Sequence, residues 1–525
     1  MKKIFACILV VVLLFAGCST PKEQQIEGTQ IKLSDKEITV DGETVTSDNT
    51  QAVYAANDIV FYLAGQDFTY GEGAKEDEHE QAEADAHTVV HITKPGRYVL
   101  SGELSAGQIA VDLGEDAEEN PEATVTLILN GVDIACTVAP AVIFYNVYEC
   151  GVADDETATK DVDTSTAGAN VIIADGTENN INGSYVAKIY KSYELNEDGT
   201  EVVDSKKLHK YDAAFYSKKT MNIDGGEKGD GILNIKAENE GLDSELHLTI
   251  NGGNINITSG NDGINTNEDN VSVTTINGGK VNILCDGSTG EGDGIDSNGW
   301  LVINGGTVVS QACATSGDAG IDSDLGIYIN GGKVVASGNM LDRIAGGEQT
   351  YAVFNFASRQ VGDSTYTLKN SENKVVGEYA PTNDFAYLLV AGDELVAGDY
   401  TFWQGDTQLS ASSMSMGNMN GGEIPEGQTN ADGTVPELPE GMENMQRPQR
   451  EENMTRPEGE IPQMPNGEAP EIPEGMENMT PPNNMGGGMG MGNMMMGGEV
   501  STTFTIVEGG NQFSNVSPIA TTVTE

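Results

Sequence analysis

Gly294-Ile295-Asp296-Ser297-Asn298-Gly299-Trp300-Leu301-Val302-Ile303-Asn304-Gly305-Gly306-Thr307-Val308 is one copy of a unit that recurs through the middle of the chain. Its Ile-Asn-Gly-Gly begins at Ile250, Ile276, Ile303 and Ile329, at spacings of 26, 27 and 26 residues. Ile223-Asp224-Gly225-Gly226 stands 27 residues before the first of these. The opening triplet recurs as Gly241-Leu242-Asp243, Gly263-Ile264-Asn265 and Gly320-Ile321-Asp322. A fixed period of this size marks a stacked-repeat architecture. Within a copy, Leu246, Leu248 and Ile250 alternate with His247 and Thr249; beyond the glycines, Ile255 and Ile257 alternate with Asn254 and Asn256. Such period-two alternation, broken at Gly-Gly corners, describes short half-buried strands. No amphipathic helical window lies between copies, which argues against leucine-rich and helical repeats. Each copy has an apolar face that it buries only by stacking on its neighbours. The expected fold is therefore all-β, a right-handed parallel β-helix with one rung per copy and inward Ile/Leu/Val ladders.

The Gly-Ile-Asp-Ser…Ile-Asn-Gly-Gly-x-Val pattern resembles a family of secreted bacterial carbohydrate-binding β-helix lipoproteins, over roughly residues 50–405 and most clearly over 212–338. Members are similar to pectate-lyase-type β-helices. The resemblance implies calcium binding, and binding of cellulose and of acidic plant-wall sugars such as polygalacturonate.

The N-terminus fits export. Lys2 and Lys3 precede an apolar run from Ile4 to Ala16, too short to span a bilayer stably, that ends at Leu14-Phe15-Ala16-Gly17-Cys18. Residues 1–17 read as a lipoprotein signal peptide and Cys18 as the lipidated residue, tethering the chain to the membrane on its extracellular face. A short membrane helix or an uncleaved signal is the alternative. Residues 18–50 read as a polar spacer and 51–405 as the β-helix, with acidic excursions at 72–85, 115–122 and 154–166 and a hairpin near 190–210. A formal charge of −55 with only 27 basic residues makes nucleic acid an implausible partner. It also repels a polyuronate unless metal ions bridge the two. Cys136 and Cys150 are spaced for a local pair, and Cys285 and Cys313 for a bridge between rungs; free buried thiols fit equally.

Residues 411–498 carry 15 of the 18 methionines and 11 of the 17 prolines, with no aromatic residue, too little apolar surface to offset chain entropy. This segment is expected to be disordered, as a spacer or a site for a protein partner. Copper(I) binding through the thioethers of Met485–Met496 is the alternative. Residues 499–525, with Phe504-Thr505-Ile506-Val507 and Phe513, regain strand character and could cap the solenoid.

Stacking places Asp243, Asn265, Asp296 and Asp322 in one line about 5 Å apart, with Asp262, Asp293 and Asp318 beside it in the same turns. Like charges at that spacing are costly without a cation, and clustered hard oxygens suit Ca²⁺. Alternatively each side chain caps its own turn. For sugar binding, Trp300 and Tyr328 fall at outward positions where rings can stack on pyranoses, and outward Asn254, Asn256 and Asn282 can bond hydroxyls; isolated surface residues are the plainer account. A lyase would need a basic residue beside uronate-bound calcium. Lys280, Lys333 and Arg343 fall in no recognisable catalytic signature, so a binding protein without enzymatic activity is the expectation, with a polysaccharide lyase or a surface-display protein as alternatives.

Overall fold

The computed structural model describes residues 26–151, 153–414 and 500–519. Regular structure there is almost entirely strand, and the strands of each copy enter three ladders in turn. The first contains Ala169–Ile173, Met221–Asp224, His247–Ile250, Val273–Ile276, Trp300–Ile303 and Gly326–Ile329, each paired in parallel with the next. The Ile-Asn-Gly-Gly corner leads to the second: Glu178–Gly183, Ile232–Ala237, Asn254–Ser259, Lys280–Cys285, Thr307–Gln311 and Lys333–Gly338, also all parallel. The third runs through Val142–Phe144, Ala213–Ser217, Glu240–Ser244, Ile264–Thr266 and Ile295–Ser297. Every strand bonds to its counterpart one copy away, so equivalent residues stack about 4.8 Å apart.

The corner needs both glycines, for different reasons. Gly279, Gly306 and Gly332 have φ of 81°, 81° and 82°, which side chains disfavour. On the preceding glycines, a Cβ at Gly278, Gly305 or Gly331 would sit 2.7, 2.6 or 2.7 Å from the carbonyl oxygen of Asn251, Asn277 or Asn304 one copy below. Inside the stack, Ile250, Ile276, Ile303 and Ile329 are fully buried, as are Leu242, Ile264 and Ile295. Each such side chain contributes roughly 1.5–3 kcal/mol relative to exposure.

Several expectations change. Within the stretch read as a spacer, Thr29–Leu33 pairs in parallel with Gly96–Leu104 and buries Ile31 and Leu33. A five-residue strand inside a polar stretch carries too short an alternation to stand out. Parallel stacking of the first ladder runs to Ile344–Gly346, not to residue 405. Beyond it, Phe385–Ala391 pairs antiparallel with both Lys333–Gly338 and Tyr351–Gln360. This region has its own aromatic cluster, in which Phe354 stacks on Phe402 and Phe513. Gly510–Pro518 returns to it, parallel to Tyr351–Gln360 and antiparallel to Thr407–Met414. Val186–Leu195 and Val202–Tyr211 form a separate antiparallel hairpin. Cys136, Cys150, Cys285 and Cys313 are all free thiols, so neither spaced pair is bridged. The signal segment, Cys18, residues 415–499 with Met485–Met496, and 520–525 lie outside the described residues. Among the described residues no helix is long and apolar enough to cross a membrane.

Candidate metal and carbohydrate sites

The third ladder brings Asp243, Asn265 and Asp296 into register, and Asp322 continues the line, its N–H donating to the Ile295 carbonyl at 2.7 Å. Beside them, Asp262 accepts the Asp293 N–H at 2.7 Å, Asp293 accepts the Ala319 N–H at 2.6 Å, and Asp318 accepts the Gly292 N–H at 2.6 Å. These three carboxylates thus each hold a turn of an adjacent copy with one oxygen. Their crowding persists. Burial first, then the charges of Asp262, Asp322 and Asp296, push Asp293 up to about 9. Burial, then Asp342 and Asp296, push Asp322 up to about 7.

Among the described residues, Asp212, Glu240 and Asp243, all buried, form a tight group with one oxygen of each within 4.8 Å of the others. Burial raises all three carboxyls above their ordinary range; neighbouring carboxylates push Glu240 and Asp243 well up, whereas Lys210 offsets part of the effect on Asp212. The Asn265 amide donates to one Glu240 oxygen at 3.3 Å, and that of Asn267 to both Asp243 oxygens at 3.0 and 3.1 Å. The Lys210 ammonium lies 3.1 Å from Asp212. The second Glu240 oxygen and the Asn265 amide oxygen are buried with no hydrogen-bond partner. Orphaned acceptors of this kind cost about 1–3 kcal/mol each, and a hard cation is what such an oxygen set fits. Asp243 and Asn265 were legible as candidates; Asp212 and Glu240 were missed. The signal for Glu240 was present: the residue before the first three triplets reads Glu240, Asp262 and Asp293 in successive copies, with Ala319 before the fourth.

The carbohydrate candidates do not converge. Trp300 and Tyr328 lie on the first ladder, whereas Asn254, Asn256 and Asn282 lie on the second, past the Gly-Gly corner. Trp300 aligns with Gly326, and Tyr328 with Val302, so the rings do not stack on each other. Both are half-buried, and the Lys160 ammonium sits 5.2 Å over the Tyr328 ring. Asn254 donates to the Gly229 and Gly231 carbonyls at 3.2 and 3.0 Å, which occupies its amide in holding a turn. Asn282 donates to Asn256, Asn256 to Asn234, and Asn234 to Asn180, at 2.9, 2.9 and 3.0 Å. A second amide ladder, missed in the sequence, runs along the corners: Asn330 to Asn304 to Asn277 to Asn251, at 2.8, 2.9 and 2.9 Å. Lys280 and Lys333 are exposed and both align with Thr307, while Arg343 donates to the Leu325 carbonyl at 2.9 Å.

The sequence model of the carbohydrate-binding domain-containing protein family matches residues 86–378, more than half of the chain. A carbohydrate-binding domain-containing protein of Acetivibrio thermocellus is 30% identical over 169 residues, 32% of this chain and 44% of that protein. The matched part thus spans less than half of the relative's length. Among solved structures, a gadolinium derivative of a polysaccharide lyase-like protein from C. thermocellum is similar at 20% identity over 61% of this chain and 99% of that one, with a TM-score of 0.32.

Proposed function

The chain belongs to the carbohydrate-binding domain-containing protein family, and from that premise we propose that it holds polysaccharide outside the cell without cleaving it. The three ladders are read as the faces of a right-handed parallel β-helix, stabilised by calcium and tethered to the membrane by lipid on Cys18. The observation that carries the reading is that the family match, residues 86–378, covers most of the three parallel ladders. Cell-wall or plant polysaccharides, cellulose and uronans among them, are the ligand class.

Asp212, Glu240 and Asp243 would hold the cation, with the Asn265 amide oxygen completing the set. Asp262, Asp293, Asp296, Asp318 and Asp322 extend the acidic line along the stack. Calcium supplies positive charge where burial keeps carboxyls from ionising one beside another. It would also let a chain of charge −55 approach an acidic sugar. The orphaned oxygens of Glu240 and Asn265 support this part of the reading.

The test is calorimetric titration of chelator-stripped protein with Ca²⁺, followed by retention on cellulose and uronans. Saturable uptake that raises the melting temperature, together with glycan retention, is the expected result. Absence of retention on every glycan would overturn the binding reading, and unsaturated uronides absorbing in the ultraviolet would replace it with a lyase.

A further inference from the structure

Outside the acidic line, a groove of about 540 Å³ runs along the first ladder. Its floor is one residue per copy, Asn222, Thr249, Thr275 and Val302 in register, of which Thr275 is half-buried and the others buried. One wall is the corner ladder from Asn251 to Asn330. The loop of residues 160–165 also lines it. Thr164 pins that loop, donating through its hydroxyl to Thr249 at 2.8 Å and accepting the Asn222 amide on its carbonyl at 2.7 Å. Lys160, which also lines the groove, lies over Tyr328, so that ring face is covered rather than open for stacking.

We propose that this groove is the glycan site, and that it takes a linear neutral glycan lying along the stack with one sugar per copy; this rests on the carbohydrate-binding reading above. Three features carry it. A primary amide has two N–H groups and two acceptor lone pairs. Each interior Asn of the wall uses one N–H and one lone pair on its neighbours, which leaves a donor and an acceptor per copy for hydroxyls. These pairs repeat at about 5 Å, the strand spacing, which is also the advance per residue of an extended β-linked pyranose chain. Within this groove the charge disfavours uronates, which leaves uronans to calcium-bridged contacts elsewhere on the chain: Lys160 lies 2.7 Å from Asp161, and Asp163 adds a second carboxylate to the same loop.

The experiment titrates the full chain with neutral β-linked oligosaccharides of increasing length and with oligogalacturonates, with and without Ca²⁺. Thr275→Trp fills the floor without touching the amide wall, Asn304→Ala removes one wall amide, and Thr258→Trp places the same bulk on the second ladder. Melting temperatures verify that each variant folds, and Asn304→Ala decides if Thr275→Trp does not. Wild-type affinity for neutral chains should rise with length until the groove is spanned. Thr275→Trp should weaken it at least about tenfold, a difference of about 1.4 kcal/mol, while Thr258→Trp leaves it unchanged. Wild-type binding that survives both groove variants would overturn the groove and leave the carbohydrate reading standing. Wild type that binds no glycan would remove that reading itself. Groove-dependent preference for uronates would overturn the neutral class.

Discussion

The corner ladder of asparagines and the acidic line of the third ladder are built by the same repeat, at the same spacing, yet they behave oppositely. An amide is donor and acceptor at once, so Asn330, Asn304, Asn277 and Asn251 satisfy one another along the stack. A carboxylate only accepts. Buried beside Asp212, Glu240 and Asp243 are pushed up by burial and by neighbouring carboxylates. Stacking strengthens whatever the side chain brings: amides partner one another and keep one donor and one acceptor to spare, whereas carboxylates come to depend on a proton or a cation from solution.

The largest effect that would break this contrast is calcium itself. At a hundredfold excess over its dissociation constant, Ca²⁺ should stabilise stripped protein by about 2.7 kcal/mol, measured by denaturant melts with and without chelator. No change would mean that the carboxyls simply stay protonated. The pH profile comes next. Asp293 at about 9 and Asp322 at about 7 lie above their unfolded value near 4, so the folded state binds more protons than the unfolded. Their contribution is complete below about pH 4 and is lost as pH rises through 7 and 9. Stripped protein should therefore lose up to about 1.4 kcal/mol per pH unit for each group across its own window, and saturating calcium should flatten the slope. A profile that rises with pH in chelator would contradict the burial of these acids.

Asp243→Asn sharpens the comparison by making one rung of the acidic group resemble the amide ladder. Stripped variant should gain about 1 kcal/mol over stripped wild type by relieving repulsion, and its calcium increment should disappear. The smallest effect belongs to the reverse exchange. Asn277→Asp removes the donor to Asn251 on an exposed corner and should cost about 0.5–1 kcal/mol, read by thermal melts and unaffected by calcium.

The sequence revealed the parts of the molecule that repeat. Ile250 to Ile329 and the Gly-Gly corners carry a period because every copy solves the same packing problem, and the alignment of Asp243 with Asn265 and Asp296 followed from it. What does not repeat was hidden. Asp212 reaches the acidic group only because the hairpin Val186–Tyr211 delivers the chain back beside Ala213–Ser217, an insertion that interrupts the spacing. Lys160 meets Tyr328 across 168 residues of chain, and local patterning carries no trace of such a contact. Nor could alternation after Tyr351 distinguish parallel from antiparallel pairing, since both bury every second residue.

The return of the chain at its far end has a further consequence. Ser412 pairs with Val500 and Ala411 with Ser501, while Phe513 packs against Phe354 and Phe504. The interval 415–499 is therefore stitched to the fold on both sides. A protease that cut within it would produce two polypeptides and still leave one particle, held by backbone bonds and an aromatic cluster. Such a nicked protein would run as two bands under denaturing conditions and as a single species under native ones.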